Sequence, residues 1–270
     1  MLTKKSEEAD SLEVGSIVNL PNRKPVGFYI IFAPEALFEV GVLKRVLDVF
    51  EKYLVPIVCL HVSSPRIGEP LKSYIVADVK DKEDKTEIIK NEIEKFPQIE
   101  HVETYYPFYD GLLAELPTET LSMAGERCII FRRPHYEAFI KSVQSVFGLG
   151  GSAILYHLGI VLGQKAYEDH RRIAGENDEL LLRVTSRLFK AVGYGILEFR
   201  KVDKERGRGL VRIYNNFECE LYRNVGKPSS QYLRGILAGW FQRFFNRKNV
   251  RVVETKCVAK GDSYCEFEIF

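Results

Sequence analysis

Charge of either sign is not in excess in this sequence, and long hydrophobic runs are missing. The 270 residues include 39 Lys and Arg against 37 Asp and Glu, which gives a formal net charge of +2. Because the basic residues are scattered among acidic ones, no electrostatic surface for nucleic acid is predicted, and we expect no direct nucleic-acid binding. No segment approaches the roughly 20 apolar residues that a membrane-spanning helix needs, so no membrane span is expected.

Targeting signals and a disulfide framework are also missing from the pattern. The opening residues MLTKKSEEADSLEVG have no apolar segment followed by a small-residue cleavage site, which indicates a cytoplasmic protein. The chain has 5 cysteines, an odd number. In a reducing compartment this composition argues against structural disulfides and leaves a metal site or buried thiols.

The first feature that is present is a small domain at residues 24–110, after a polar leader at residues 1–23. The apolar run VGFYIIF predicts a buried strand, and EVGVLKRVLDVFEKYL carries apolar residues at helical spacing. Two β-branched runs, a second helix and a fourth strand follow in PIVCLHV, SYIVADV, DKTEIIKNEIEKF and IEHVETYYPF. This β-α-β-β-α-β order predicts a ferredoxin-like fold.

A second domain is predicted at residues 135–270, after a connector at residues 111–134. Three helical segments come first, in YEAFIKSVQSVF, SAILYHLGIVLGQKAYEDH and NDELLLRVTSRLFKAVG. Two alternating segments predict strands, YGILEFRKVD and GLVRIYNNFECELY, and the helix SSQYLRGILAGWFQRFF and two closing strands follow. Helices before strands predict an α+β domain, in which the helices pack on an antiparallel sheet.

Glycines recur within and between the helical segments of the second domain. Those in FGLGGSAILY follow no strand and no Lys-Ser/Thr pair accompanies them, so they predict a tight turn and no nucleotide site. The pairs Gly159–Gly163 and Gly235–Gly239 indicate either close packing against a neighbouring backbone or a pocket for a ligand. The aromatic residues predicted to line such a pocket are Tyr156, Tyr167, Tyr194, Phe217, Tyr232 and Trp240.

The most patterned polar residues are two cysteines near the end of the chain. Cys257 and Cys265 are separated by seven residues and bracket Gly261-Asp262. The residues alone leave three interpretations open: metal ligands, a disulfide or redox pair, and two thiols buried as small hydrophobic groups. The 5 histidines lie apart and form no catalytic signature, so a non-catalytic protein is predicted.

The first domain resembles the ACT family of small-molecule regulatory domains. The resemblance rests on its element order and on the loop FEVGVL, where Gly41-Val42-Leu43 provide a glycine before a hydrophobic pair. It implies an amino-acid site near this loop. The alternative is a ferredoxin-like module that serves dimerisation or packing.

The second domain resembles the 4-vinyl-reductase family, also described as hydrocarbon-binding domains, over residues 120–270. The resemblance rests on YGILEFR, NNFECELY, RGILAGWF and VVETKCVAKGDSYCEFEIF, which contain Phe217-Glu218, the second glycine pair and both terminal cysteines. It implies a fold like that of vesicle-tethering TRAPP subunits. Members of the family serve as sensory domains for aromatic compounds, and many are archaeal proteins.

The same resemblance implies a zinc site. Zinc-binding relatives use the paired terminal cysteines, a preceding carboxylate and an earlier cysteine ahead of the glycine-containing helix. Cys257, Cys265 and Glu254 match three of these positions, whereas the earlier cysteine position falls near Ser230 or Gln231. Because a closed zinc site needs four ligands, Cys219 or a histidine has to complete it.

These features predict a cytoplasmic, non-catalytic sensor that binds a small hydrophobic or aromatic molecule. We expect a homodimer whose output reaches transcription through a partner, since no helix-turn-helix is recognisable. Two alternatives are an interaction or dimerisation module of TRAPP-like fold, and an accessory protein or enzyme that acts on a vinyl tetrapyrrole. The family name alone suggests the latter.

Overall fold

The computed structural model describes residues 13–14, 17–63, 66–115 and 117–270. These residues form two compact units. The described residues up to 129 make the first unit, and residues 130–270 make the second. The division lies inside the segment 111–134 that the sequence predicts as a connector, whereas most of the predicted leader lies outside the described residues.

The first unit is built on a four-stranded antiparallel sheet. Its elements are β1 (Ile17–Asn19), β2 (Pro25–Phe32), α1 (Val42–Lys52), β3 (Ile57–Val62), β4 (Lys72–Asp78), α2 (Lys85–Ile93), β5 (Ile99–Tyr105), β6 (Leu112–Ala114), β7 (Leu121–Met123) and β8 (Glu126–Cys128). The sheet order is β3-β4-β2-β5, with every neighbouring pair antiparallel. This order confirms the predicted ferredoxin-like arrangement.

The two faces of this sheet are covered differently. Apolar residues of α1 and α2, including Val46 and Ile89, bury one face together with Phe28 and Ile30 of β2. On the opposite face, Tyr29, Tyr74 and Val76 form a smaller cluster with Leu113 of the two-stranded sheet β1-β6. The predicted connector contributes β6 and the short hairpin β7-β8.

The second unit combines four helices with a second antiparallel sheet. Its elements are α3 (Arg133–Phe147), α4 (Leu149–Ala174), α5 (Asp178–Ala191), β9 (Ile196–Asp203), β10 (Arg208–Tyr214), α6 (Gln231–Phe245), β11 (Val252–Lys256) and β12 (Cys265–Ile269). The sheet order is β11-β12-β10-β9. Phe241 and Phe244 of α6 pack on Val211 and Phe267 of the sheet in one core. The α+β prediction is confirmed.

One predicted strand is shorter in the structure. The strand predicted to continue to Tyr222 ends at Tyr214, and residues 219–222 form a 3-10 helix instead. Asn215 takes a left-handed conformation with φ 51°, which takes the chain out of the sheet. The carbonyl of the Asn216 side chain then accepts hydrogen bonds from the Glu218 and Cys219 amides at 3.0 and 3.3 Å. Cys219 therefore lies in a turn and not on a strand.

The paired glycines bring α4 and α6 together along their length. A Cβ atom at Gly159 would overlap the Tyr232 carbonyl, and one at Gly239 would overlap the carbonyl of Ile160. The contacts advance in the same chain direction on both helices, so α4 and α6 run parallel. The predicted close packing is confirmed, since each missing side chain is replaced by the backbone of the facing helix.

Two local predictions for the helices were also testable. Asn177 was one of two predicted caps for α5, and its side-chain oxygen accepts a hydrogen bond from the Leu180 amide at 2.9 Å. Over the described ranges, we find no helix whose length and hydropathy would let it cross a bilayer.

Candidate functional site

The candidate site begins with the loop between β11 and β12. Cys257 follows β11 directly, residues 258–260 form a 3-10 turn, and Gly261 takes a left-handed φ of 106° that favours glycine. The Asp262 carboxylate accepts a hydrogen bond from the Cys257 amide at 2.8 Å, and the Asp262 amide donates to the Cys257 carbonyl at 3.1 Å. These bonds curl the loop, so that Cys257 and Cys265 approach each other.

Four potential metal ligands meet at this loop. The sulfur atoms of Cys219, Cys257 and Cys265 and a carboxylate oxygen of Glu254 all lie within 4.8 Å of one another, and all four residues are buried. Cys219 Sγ is 3.2 Å from Cys257 Sγ. The structure thus brings the three predicted ligands together, and Cys219 is the fourth group. We call these four residues the Cys3Glu cluster.

The donors of the Cys3Glu cluster match what a closed zinc site requires. Structural zinc takes four sulfur, nitrogen or carboxylate ligands in a tetrahedron, in which two sulfurs at about 2.3 Å from the metal are about 3.8 Å apart. The observed separations bracket this value. Each of the four side chains is at most 9% exposed, so protein atoms rather than water surround the donors. A buried set of three thiols and a carboxylate is also the kind of polar cluster that a cation stabilises.

Hydrogen-bond donors point at the sulfur atoms of the cluster. Asn216 is fully buried, and its Nδ2 donates to Cys219 Sγ and to Cys265 Sγ, each at 3.3 Å. The Val258 amide donates to Cys265 Sγ at 3.5 Å. Such donors stabilise the thiolate form that a metal requires, and they orient metal-ligating side chains.

Ser230 lies where the family resemblance places a cysteine. Its Oγ is 2.7 Å from Cys219 Sγ and donates to Glu254 Oε1 at 2.9 Å, while its amide donates to Glu254 Oε2 at 3.2 Å. The hydroxyl therefore holds the carboxylate in place, and Cys219 supplies the third sulfur. The sequence offered Cys219 only as one of several candidates, because neither its turn nor its distance from the loop has a local sequence pattern.

The ionisation of the cluster is strongly perturbed. The Cys219 thiol donates to the Cys257 sulfur, which lowers the pKa of Cys257 and raises the pKa of Cys219. Burial, reinforced by Cys257, raises the pKa of Glu254 to about 8. These opposite directions describe a group that shares protons when no cation is present and that gains when a cation replaces them.

Glu218, next to the cluster, has a role that the sequence did not reveal. Its carboxylate is fully buried and accepts hydrogen bonds from the Tyr232 and Leu233 amides at 3.0 and 2.8 Å. Burial raises the pKa of Glu218 to about 7, and the amide hydrogen bonds oppose that shift. Glu218 thus satisfies free amides at the start of α6, although it precedes that helix in the chain by several turns' length of sequence.

The six aromatic residues predicted to bind a ligand fall into three places in the structure. Tyr194 stacks on Phe217 with ring centres 4.8 Å apart, and Tyr232 packs against Phe217 in the same hydrophobic cluster. Tyr167 and Trp240 form a separate edge contact at 5.5 Å. The third place is α4, where Tyr156 lies under the Arg234 guanidinium at 5.1 Å.

The group of Tyr194, Phe217 and Tyr232 has unused polar atoms, and we call it the aromatic group. Both tyrosines are half-buried, and burial raises the pKa of Tyr194 and raises that of Tyr232 to about 12. Within the described residues, neither hydroxyl has a hydrogen-bond partner. Tyr136 of α3 meets Phe217 edge-on at 5.7 Å. Hydroxyl groups that are partly desolvated and unpaired suit a ligand with an apolar body and one polar atom.

Comparisons with known proteins agree with the resemblance that the sequence predicted. Residues 210–270 match the family model of the vinyl-4-reductase domain. An uncharacterised protein of Methanocaldococcus jannaschii is 34% identical over 120 residues, which are 44% of this chain and 65% of that protein. A second uncharacterised protein of the same organism is 37% identical over 59 residues, 22% of this chain and 36% of its own length. The chain thus matches less than two thirds of the length of either relative.

Solved structures of similar fold include a sensory domain. The phenol-responsive sensory domain of the transcription activator PoxR, solved with phenol, has a TM-score of 0.50 and 17% identity, and the match covers 56% of this chain and 79% of that one. A vinyl-4-reductase family protein of M. jannaschii has a TM-score of 0.37 and 22% identity, over 53% of this chain and 83% of that one. The predicted 4-vinyl-reductase resemblance is confirmed, whereas the ACT resemblance of the first unit stays a prediction.

Proposed function

We propose that the second unit, which contains the vinyl-4-reductase match at residues 210–270, is a ligand-sensing regulatory domain that binds a small hydrophobic or aromatic molecule. The observation that carries this proposal is the aromatic group. It offers aromatic ring surface together with two hydroxyls that have no protein partner. The fold neighbour that responds to phenol supports the same class of ligand.

The ligand acts on the side of the unit that faces α3. The backbones of α4 and α6 fill the space at the paired glycines, so a ligand cannot enter between these two helices without separating them. Tyr136 of α3, in contrast, covers Phe217 only through an edge contact. A ligand that displaces Tyr136 and bonds to Tyr194 or Tyr232 favours the state in which α3 has moved. It shifts the population by its difference in affinity for the two states.

Zinc has a structural part in this proposal, through the Cys3Glu cluster. The bound ion would join the turn that carries Cys219 to the loop of Cys257 and Cys265. Glu218 lies in the same turn, next to Cys219, and caps α6. The residues of the cluster therefore fix the turn that presents Phe217, and no chemical reaction is assigned to them. Output through a partner, with the chain as a homodimer, completes the proposal.

The test is a ligand screen with matched tyrosine variants. Phenol, alkylphenols and fatty acids are added to the full chain, and its melting temperature and binding heat are measured. We expect one of these classes to raise the melting temperature, and Tyr194→Phe or Tyr232→Phe to weaken binding about tenfold, the value of one lost hydrogen bond. Tyr264→Phe is the control, because its hydroxyl bonds to Lys256 on the sheet. If all three classes leave melting unchanged, the sensor proposal is wrong.

A second candidate function, an interaction or dimerisation module, is favoured by apolar residues on the surface of α3 and α4. Phe147, Leu149, Leu158 and Val161 are all exposed, Leu149 by 92%. Apolar surfaces on soluble proteins are typical of interfaces when they are large. Sedimentation velocity of the wild type and of Leu158→Glu tests this candidate, which requires a mass above the monomer that the variant lowers. Action on a vinyl tetrapyrrole remains a prediction, and the absorbance of a co-purified pigment would test it.

A further inference from the structure

The first unit contains a separate contact between a cysteine and a histidine, on β3. Cys59 Sγ lies 3.0 Å from His61 Nε2. Both side chains are half-buried. They project from the same face of the strand, because residues two apart share a face, and Cys59 packs there with the cluster of Tyr74 and Val76. A thiol and an imidazole, two preferred ligands of borderline metal ions, are thus adjacent and within reach of solvent.

The strand β3 forms an edge of the sheet and lacks the usual protection of an edge. The opposite edge, β5, carries the charged residues Glu100 and Glu103, whereas β3 (IVCLHV) has no charged residue and no proline. Val58, Leu60 and Val62 of β3 are 43%, 39% and 43% exposed. Charged side chains and prolines are what normally prevent an edge strand from pairing with another chain. An uncharged, half-apolar edge therefore suits pairing with a second strand of the same kind.

The backbone of β3 has the symmetry that such pairing needs. The Ser63 amide donates to the Lys72 carbonyl at 2.8 Å, so residues 59, 61 and 63 direct their backbone groups towards β4. Val58, Leu60 and Val62 consequently direct theirs to the open edge. This set is symmetric about Leu60. An antiparallel second copy with Leu60 opposite Leu60 also pairs residue 58 of each copy with residue 62 of the other.

We propose that two copies of this chain pair through β3 and share one zinc ion at that edge. In this register, Cys59 lies directly opposite His61 of the partner subunit, in a non-hydrogen-bonded pair whose Cβ atoms are about 4.5–5.5 Å apart. The two copies together offer two sulfurs and two imidazole nitrogens on one face, the donor set of a tetrahedral zinc site. Each thiol releases its proton to solvent on binding. One copy alone supplies only two ligands, so the site is complete only in the pair.

Zinc-dependent association of the full chain tests this proposal. Purified protein is stripped with EDTA, zinc chloride is added, and the sedimenting mass is measured by analytical ultracentrifugation. We expect zinc to double the mass and to bind with about one extra ion per two chains beyond the Cys3Glu cluster. The doubling applies equally to a monomer and to a dimer held by another surface. EDTA should reverse it.

Variants of β3 separate this site from other causes. Cys59→Ser and His61→Asn should abolish the zinc-dependent doubling, while Cys128→Ser and His101→Asn, which replace a cysteine outside β3 and a histidine on the opposite edge, should retain it. Far-UV circular dichroism checks that each variant is folded. The proposal is overturned if zinc leaves the wild-type mass unchanged, if the doubled species survives EDTA, or if either β3 variant still doubles.

The outcome is independent of the proposed sensor function. Ligand binding is measured on the second unit by melting temperature and heat, whereas this site is measured by mass and lies wholly in the first unit. A protein that binds phenol but does not associate with zinc contradicts only the β3 proposal. Association without ligand binding contradicts only the sensor proposal.

Discussion

Gly163 on α4 lies directly against the carbonyl group of Ile236 on α6, so closely that a Cβ atom at Gly163 would overlap the carbonyl oxygen. The two helices are further joined by a hydrogen bond between the side chains of Gln164 and Gln242 at 2.8 Å. The helix pair is therefore closed by backbone contact at its centre and by polar side chains beside it.

The first prediction is that Gly163→Ala destabilises the protein by about 3 kcal/mol, because overpacking a close helix contact forces the backbones apart. Chemical denaturation measures the change in the free energy of unfolding. Gly150→Ala on the same helix is the control, since the nearest atom to its added Cβ is 4.0 Å away, and it should change stability by less than about 1 kcal/mol. Equal effects of the two variants would contradict the packing described here.

The second prediction concerns the Cys3Glu cluster. Glu254→Gln should lower zinc affinity by at least about tenfold, because a neutral amide replaces the only carboxylate ligand and loses its charge attraction to the ion. Competition with a chromogenic chelator gives the affinity, and native mass spectrometry gives the stoichiometry.

The matched control for Glu254 is Glu268→Gln. Glu268 is an exposed carboxylate on the neighbouring strand, opposite Val253 in the register of β11 and β12. The control variant should bind zinc as the wild type does. A cluster that binds no zinc in the wild type, with its three thiols free to react after unfolding, would favour the interpretation as buried thiols.

The third prediction is a pH dependence that arises at His170. His170 Nδ1 is 3.0 Å from Thr185 Oγ1 and accepts a hydrogen bond from Trp240 Nε1 at 3.4 Å, so the ring is neutral in the folded protein. Burial lowers the pKa of His170 below its ordinary 6.5, against the opposing charge of Asp169. Below pH 6.5 the unfolded chain binds more protons here than the folded one. The free energy of unfolding should therefore fall as the pH drops through this range.

His170→Asn tests this pH dependence. Asn keeps an acceptor near the Nδ1 position but does not titrate, so the variant should lose less stability than the wild type between about pH 6.5 and pH 5. Fluorescence of Trp240, the single tryptophan of the chain, follows unfolding at this contact. His157→Asn, an exposed histidine on the same helix, is the control and should behave like the wild type. Identical pH profiles for all three proteins would exclude His170 as the origin.

The fourth prediction is that Glu218→Ala destabilises the second unit by at least about 2 kcal/mol. The substitution leaves the Tyr232 and Leu233 amides without acceptors at a buried helix end and removes a buried side chain. Denaturation of the full chain measures the loss. Glu220→Ala is the control, because Glu220 makes only a long, partly exposed ion pair with Arg223 at 3.7 Å, and its loss should cost less than about 1 kcal/mol. A stable Glu218→Ala variant would mean that water satisfies these amides.

Much of the architecture followed from the local pattern. The spacing of apolar residues and the flanking prolines predicted α1 and β2 at nearly their observed bounds, because side-chain periodicity is a property of each segment alone. The β-α-β-β-α-β order then restricted the first unit to few topologies. The turn after Tyr214 was missed, since Asn215 and Asn216 interrupt a run that otherwise alternates as a strand.

The candidate sites divide in the same way. Sequence alone determined that Cys257, Cys265 and Glu254 belong to one hairpin, because residues close in the chain and opposite in a hairpin must be close in space. Only the tertiary structure decided that Cys219 completes the cluster, that the paired glycines are filled by backbone, and that β3 is the uncharged edge. Each of these depends on which elements pack together, and such contacts between distant segments are set by the burial of the whole core and not by any local pattern.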